Sequence, residues 1–145
     1  MKFNPTRYWI QRHEHNGRLS GLYCLINAAR YLGMRGPRPG SRKWALLTRH
    51  RTIQAQAKAL NLQIEPIDPD KAIEHVPAII TVRHWSASSH RTLVIGGDGA
   101  HLVLVNFRPD YYARRSWAVY QRRQIELARG KNRKAWAVTP LVDRG

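Results

Sequence analysis

An α+β fold is predicted for this chain, with N-terminal helices packed on a C-terminal antiparallel sheet. Three observations predict it. Apolar residues at Leu22, Leu25, Ile26, Ala29 and Leu32 recur at the three-and-four spacing of a helix face, and a shorter stripe follows at Ile53, Ala57 and Leu60. From Val76 onward the pattern changes to β-branched apolar runs separated by turn residues. The order is therefore helices first and strands second, with no repeat and no low-complexity segment. The 145 residues suit one domain, 1–145, able to bury a core without staples.

Taken in order, Tyr8-Trp9-Ile10 is either a short strand or a hydrophobic anchor. Gln11–Gly17 reads as a loop, with Asn16-Gly17 a turn signal. Leu19–Gly33 is one amphipathic helix, with Ser20 its expected N-cap and Gly33 or Gly36 its left-handed end. Met34–Gly40 holds two prolines and two glycines, so it is a connecting loop. Trp44–His50 is a short helical or turn segment. Thr52–Leu60 is a second helix capped by Thr52 and ended by Asn61. Leu62–Pro66 alternates like a short strand, and Pro69–His75 is a third short helix with Pro69 in its first turn. Val76–Trp85, Arg91–Ile95 and His101–Phe107 are three strands of an antiparallel meander, joined by turns at Ser86–Ser89 and Gly96–Gly99. Tyr111–Ala128 leaves two alternatives, a strand at Trp117–Tyr120 or a helix over Tyr120–Ala128. Gly130–Lys134 is a basic turn, and Ala135–Val138 is a last strand ended by Pro140.

Composition narrows the class. The chain is 43% hydrophobic, an ordinary globular share. One cysteine, Cys24, excludes an intrachain disulfide and a cysteine-based zinc cluster, and fits a reducing compartment. His13, Glu14 and His15 alternate without a second cluster and read as a solvated loop, so no metal and no cofactor are expected. The N-terminal residues have no signal-peptide run, and no stretch approaches a membrane span. A soluble, cytoplasmic protein is expected. The charge is unusual: 25 Lys and Arg against 9 Asp and Glu give +16. Residues 1–58 carry twelve basic and one acidic side chain, residues 59–107 three and five, and residues 108–145 ten and three. Such a chain either attracts polyanions or carries incidental arginine-rich charge.

Three positions suit acyl-transfer chemistry, which needs a nucleophile, a base and a group that orients the base. Ser20 opens the first helix, where free amides stabilise negative charge. His90 directly precedes an apolar strand. Asn106 ends the next strand, across a hairpin from His90. Singly, each has a plain structural alternative: a helix cap, an exposed turn histidine, a strand-ending turn residue.

The stretch Ser20–Gly33, SGLYCLINAARYLG, resembles the catalytic helix of papain-like cysteine peptidases, in particular the type that cleaves double-glycine leaders in bacteriocin exporters. In that family a Cys-Gly pair opens the helix; Ser20-Gly21 is similar to it, with serine in the nucleophile position. AQAKALNLQIEPI resembles the family's second helix and following strand. Pro77-Ala78-Ile79 through His84 to His90-Arg91-Thr92-Leu93-Val94 resembles its histidine region, and the family's orienting Asp falls on Asn106. The resemblance spans roughly residues 11–107. It implies a papain-like fold, a protein or peptide substrate, Ser20 as nucleophile position, His90 as base, Asn106 as orienter, and Gln11 as oxyanion donor beside the Ser20 N–H. Gln11 lies farther from Ser20 than the family's spacing.

Serine is the departure. A helix N-terminus and an imidazolium lower a thiol to a thiolate, whereas a hydroxyl needs a well-oriented base. A papain-like site with serine is expected to be nearly or completely inactive. Three explanations stand: an engineered change from cysteine, a natural pseudoenzyme, or Cys24 as nucleophile in a shifted register. The function expected is peptide or isopeptide hydrolysis of the papain type, silent as written. The alternative is a non-enzymatic protein that binds nucleic acid or an acidic protein through its basic surface, supported by the interleaved aromatics and arginines of Arg108–Arg123.

Overall fold

The structure, a computed structural model, describes residues 7–11, 19–83, 89–107 and 116–142. Helices α1 (Ser20–Tyr31), α2 (Arg42–Leu47) and α3 (Ile53–Ala59) come first, then β1 (Leu62–Pro66) and a 3₁₀ turn over Pro69–His75. Strands β2 (Ala78–Arg83), β3 (Ser89–Gly97), β4 (His101–Val105), β5 (Trp117–Gln121) and β6 (Ala135–Pro140) complete one antiparallel sheet of order β1-β6-β2-β3-β4-β5. The α+β arrangement read from the sequence is the observed one.

Each helix ends where local chemistry requires it. α1 stops in a Schellman motif: Met34 N–H donates to the Ala29 carbonyl at 2.8 Å and Gly33 N–H to that of Arg30 at 3.0 Å, with Gly33 at φ 75°. Ser41 caps α2 by accepting from Trp44 N–H, and Thr52 caps α3 by accepting from Ala55 N–H, each worth about 1 kcal/mol. Asn61 adopts the left-handed φ of 59° that ends α3 and turns the chain into β1. The expected Ser20 cap is corrected. Leu19 is the N-cap and makes no side-chain bond, while Ser20 is the first helical residue with its hydroxyl turned elsewhere.

The sheet is covered on both faces, which is why β2, β3 and β4 read as nearly continuous apolar runs rather than alternating ones. α1 crosses β3 on one face, where Leu22, Leu25 and Ile26 meet Ile79, Leu93, Ile95, Val103 and Val105. The other face buries Ile80, Val82, Val94 and Leu104 beneath the 3₁₀ turn and its Ala72. β6 inserts between β1 and β2, with Ile64 opposite Val138 and Ile79 opposite Trp136.

Several boundaries differ from the sequence reading. The third helix is a 3₁₀ turn, too short of apolar spacing to wind further. Gly96 and Gly97 belong to β3, where a bulge shifts the register with β4, and the turn falls on Asp98–Ala100. Trp117–Gln121 is a strand. Residues 125–128 do not form a helix: Arg83 N–H donates to the Glu126 carbonyl and Ala128 N–H to that of Thr81, so this segment prolongs the β6 side of β2. Tyr8-Trp9-Ile10 is an anchor rather than a strand. The loop residues 12–18, the turn residues 86–88 and both His84 and Trp85 lie outside the described residues, as do His13, Glu14 and His15.

Candidate active site

The site begins with the start of α1. The first N–H groups of a helix have no intrahelical acceptor, and the positive end of the helix dipole lies there. Ser20 is buried, 4% exposed. Its Oγ accepts a hydrogen bond from Arg91 N–H at 3.3 Å. Arg91 follows His90 directly, so the fixed geometry of the joining peptide bond puts Ser20 Oγ at most about 6 Å from the His90 Cα. Ser20 at the helix start and Arg91 near the strand start, 71 positions apart in the chain, meet at this point.

His90 is the second residue of β3 and 6% exposed, so it is no exposed turn histidine. Its Nε2 lies 2.7 Å from the main-chain carbonyl oxygen of Asn106. A carbonyl only accepts, so Nε2 carries the proton and donates it. In the neutral ring Nδ1 then holds the lone pair, which is the tautomer a general base requires.

Asn106 therefore meets His90, but not through its side chain. At φ 59° it turns the chain out of β4 and aims its carbonyl at the imidazole. The side-chain amide is committed elsewhere. Oδ1 accepts from Gln11 N–H at 3.1 Å, and Nδ2 donates to the Trp9 carbonyl at 2.9 Å. The expectation of a side-chain orienter is corrected on this point. A neutral carbonyl aligns the ring as a carboxylate does, but it stabilises an imidazolium far less.

Gln11 joins the same cluster. The segment around it pairs with no strand among the described residues, and two asparagine amides take that place. Asn27 Oδ1 accepts from Trp9 N–H at 2.7 Å and its Nδ2 donates to the Trp9 carbonyl at 3.0 Å, while Asn106 donates to the same carbonyl and accepts from Gln11 N–H. Gln11 is 4% exposed, and its Oε1 is buried without a hydrogen-bond partner. The asparagine clamps thus fix Trp9 and Gln11 against α1 and the end of β4, and the Gln11 amide is left uncommitted on its oxygen side.

Two more residues shape the helix start. Arg91 runs its side chain along α1: a Cβ on Gly21 would sit 2.7 Å from its Nη1, and its guanidinium lies 5.1 Å from the Trp136 ring centre. A side chain at position 21 would push the Arg91 guanidinium aside. Burial pulls Arg91 down from its ordinary value, opposed by the nearby Cys24. Cys24 sits one turn inside α1, 2% exposed, and burial pushes its thiol up to about 12. It is a core residue at neutral pH, and the shifted-register nucleophile loses its basis.

Sequence reasoning missed Asn27, Arg91 and the main-chain role of Asn106. The one available signal was Asn27, a lone amide in an otherwise apolar helix face. Among the described residues no group of three or more His, Cys, Asp or Glu can hold a metal, and no helix is long and apolar enough to cross a membrane. Of the interleaved stretch Arg108–Arg123, residues 108–115 lie outside the described residues. Beyond them Trp117 and Tyr120 are both partly buried, Trp117 packed on the helical core and Tyr120 edge-on against Phe107 at 4.6 Å.

The fold defined by this sheet and helix is that of transporter peptidase domains. The chain is similar to the peptidase domain of Streptococcus ComA, a bi-functional ABC transporter involved in quorum sensing, with a TM-score of 0.64 and 17% identity over 92% of this chain and 99% of that domain. It is also similar to a double-glycine motif protease from an AMS/PCAT transporter, solved with the leader peptide, at TM-score 0.55 and 12% identity over 92% of both chains. The peptidase domain of Streptococcus mutans ComA gives 0.54 and 15% identity over 91% of this chain and all of that one. No family model and no curated protein matches the sequence.

Proposed function

We propose that this chain carries a papain-type peptide site in which Ser20 holds the nucleophile position, His90 is the base, the Asn106 carbonyl orients it, and Gln11 with the Ser20 N–H forms the oxyanion hole. The observation that carries the proposal is the junction at Ser20, whose Oγ takes the amide of the residue after His90 while the imidazole is held by Asn106. The resemblance of the fold to leader-cleaving peptidase domains supports a peptide as the ligand.

With cysteine at position 20 the chemistry balances as follows. The thiolate attacks the amide carbon, a C–S bond forms, and the carbonyl electrons move onto oxygen, where the two N–H donors stabilise them. His90, protonated, gives its proton to the leaving amine. Water then attacks the thioester with His90 as base, and the acid leaves. With serine the first step stalls. The hydroxyl proton must be removed in the transition state by a base whose ring N–H is held by a neutral carbonyl. As written the chain binds peptide and does not turn it over at a papain-like rate.

The test compares the chain with its Ser20→Cys variant, each treated with a peptide-aldehyde or iodoacetamide probe. Labelling of the variant at position 20 at neutral pH, lost when His90→Ala is added, is the expected result. Labelling that ignores His90 removes the proposal.

A further inference from the structure

One layer of the fold is built from sequence that carries basic residues and no acidic ones. Between Glu14 and Glu65 there is no acidic residue, while nine Arg and Lys fall in that span. These residues build α1, α2, α3 and their loops. Arg42, Lys43, Arg49, Arg51 and Lys58 are exposed, and none of them has an ion-pair partner among the described residues. The described ion pairs lie elsewhere, Arg83 and Arg129 on Glu126, Arg133 on Asp70 and His101 on Asp98.

This cationic layer abuts the proposed site. The first turn of α1 packs on both neighbouring helices: Ile53 of α3 comes within 3.5 Å of where a Gly21 Cβ would stand, and the Tyr23 ring meets Trp44 of α2 at 4.9 Å. Arg91 adds a partly buried guanidinium against Gly21 from the sheet, with no acidic partner among the described residues. Uncompensated like charges repel one another in the isolated chain, and an acidic ligand removes that repulsion.

We infer that the helical layer beside Ser20 docks an acidic stretch of the peptide that occupies the site, so that the substrate class is a polypeptide with Asp or Glu flanking the bound segment. The inference rests on the peptide site proposed above. Nucleic acid would match the charge too, but Trp117 and Tyr120, the described aromatics of the arginine-rich stretch, are each partly buried against a hydrophobic cluster rather than set on the helical layer. An anionic bilayer matches it less, because Leu46 is the exposed large apolar residue of this layer among those described, too little to insert.

The experiment is fluorescence anisotropy on the whole chain with a labelled peptide of alternating Glu and Ala, its Gln-Ala counterpart, and a short DNA duplex. The Glu peptide is expected to bind about tenfold tighter than the Gln peptide at low salt and to lose most of that preference at physiological salt. Changing Arg42, Lys43, Arg49 and Arg51 together to Gln abolishes the preference. Changing Arg123, Lys131 and Lys134 to Gln, in the segment covering the other sheet face, leaves it intact. Circular dichroism checks that both variants fold. Equal affinity for the two peptides overturns the inference, as does equal loss in both variants, or tighter binding of the duplex on the same four residues. The Ser20→Cys labelling is read separately, so intact His90-dependent labelling with no Glu preference removes the docking surface alone.

Discussion

Asn106 holds the Trp9–Gln11 segment with its side chain and His90 with its main chain, so the two roles can be separated by substitution. Asn106→Gly keeps the left-handed backbone and the carbonyl to His90 but deletes both amide bonds. Gln11 N–H is then left buried without its acceptor, at a cost of about 1.5 kcal/mol, while the Trp9 carbonyl keeps the Asn27 bond and costs about 0.5 kcal/mol. Asn106→Ala loses the same bonds and must also place a Cβ at φ 59°, which adds about 1 kcal/mol. The expected losses are about 2 kcal/mol for glycine and about 3 kcal/mol for alanine, read as shifts in the urea midpoint at unchanged slope. Both variants should keep the proton on His90 Nε2 in nitrogen-resolved NMR, because the carbonyl remains. An alanine variant within about 0.5 kcal/mol of the parent refutes the clamp, since that is the range of an uninvolved surface change. A change of tautomer in the glycine variant refutes the separation of roles.

Further outcomes follow from the buried core. Cys24 is raised from 9.0 to about 12 by burial, so the folded chain holds its proton more tightly than the unfolded one. Its contribution to stability is complete below pH 9 and is lost as pH rises from 9 toward 12, at about 1.4 kcal/mol per pH unit. Urea midpoints measured across that window should fall less steeply in Cys24→Ala, and the native chain should resist iodoacetamide at neutral pH until denatured. Gly33→Ala meets no atom within 4 Å but carries φ 75°, so thermal unfolding should show a loss of about 1 kcal/mol from the backbone alone. Gly97→Ala drives its Cβ into the His101 carbonyl at φ 149°, and should cost well over ~3 kcal/mol or prevent folding, as judged by soluble yield and circular dichroism.

What the sequence determined by itself is local. The 3.6-residue stripe at Leu22, Leu25, Ile26 and Ala29 specified α1, and Thr52 and Asn61 bracketed α3, because helix faces and caps are written in neighbouring residues. The β-branched runs gave β2 to β4 for the same reason. Ser20, His90, Asn106 and Gln11 were legible as candidates through their order and a resemblance to papain-like peptidases; the hydrogen bonds of the structure join Gln11 N–H to the Asn106 side chain, the Asn106 carbonyl to the His90 ring, and Arg91 N–H to Ser20 Oγ.

The tertiary structure decided the rest, because it concerns bonds between residues far apart in the chain. Ser20 looked like a cap, yet its hydroxyl takes an amide 71 positions away, which no local pattern encodes. Asn106 looked like an orienting side chain, yet a positive φ hands that contact to its carbonyl and frees the amide for Trp9 and Gln11. β6 enters between β1 and β2, a placement that strand propensity leaves open and only the burial of Trp136 and Val138 beneath the helices selects. A sequence lists which groups are available; the packed core, by excluding water from unpaired ones, decides which of them must meet.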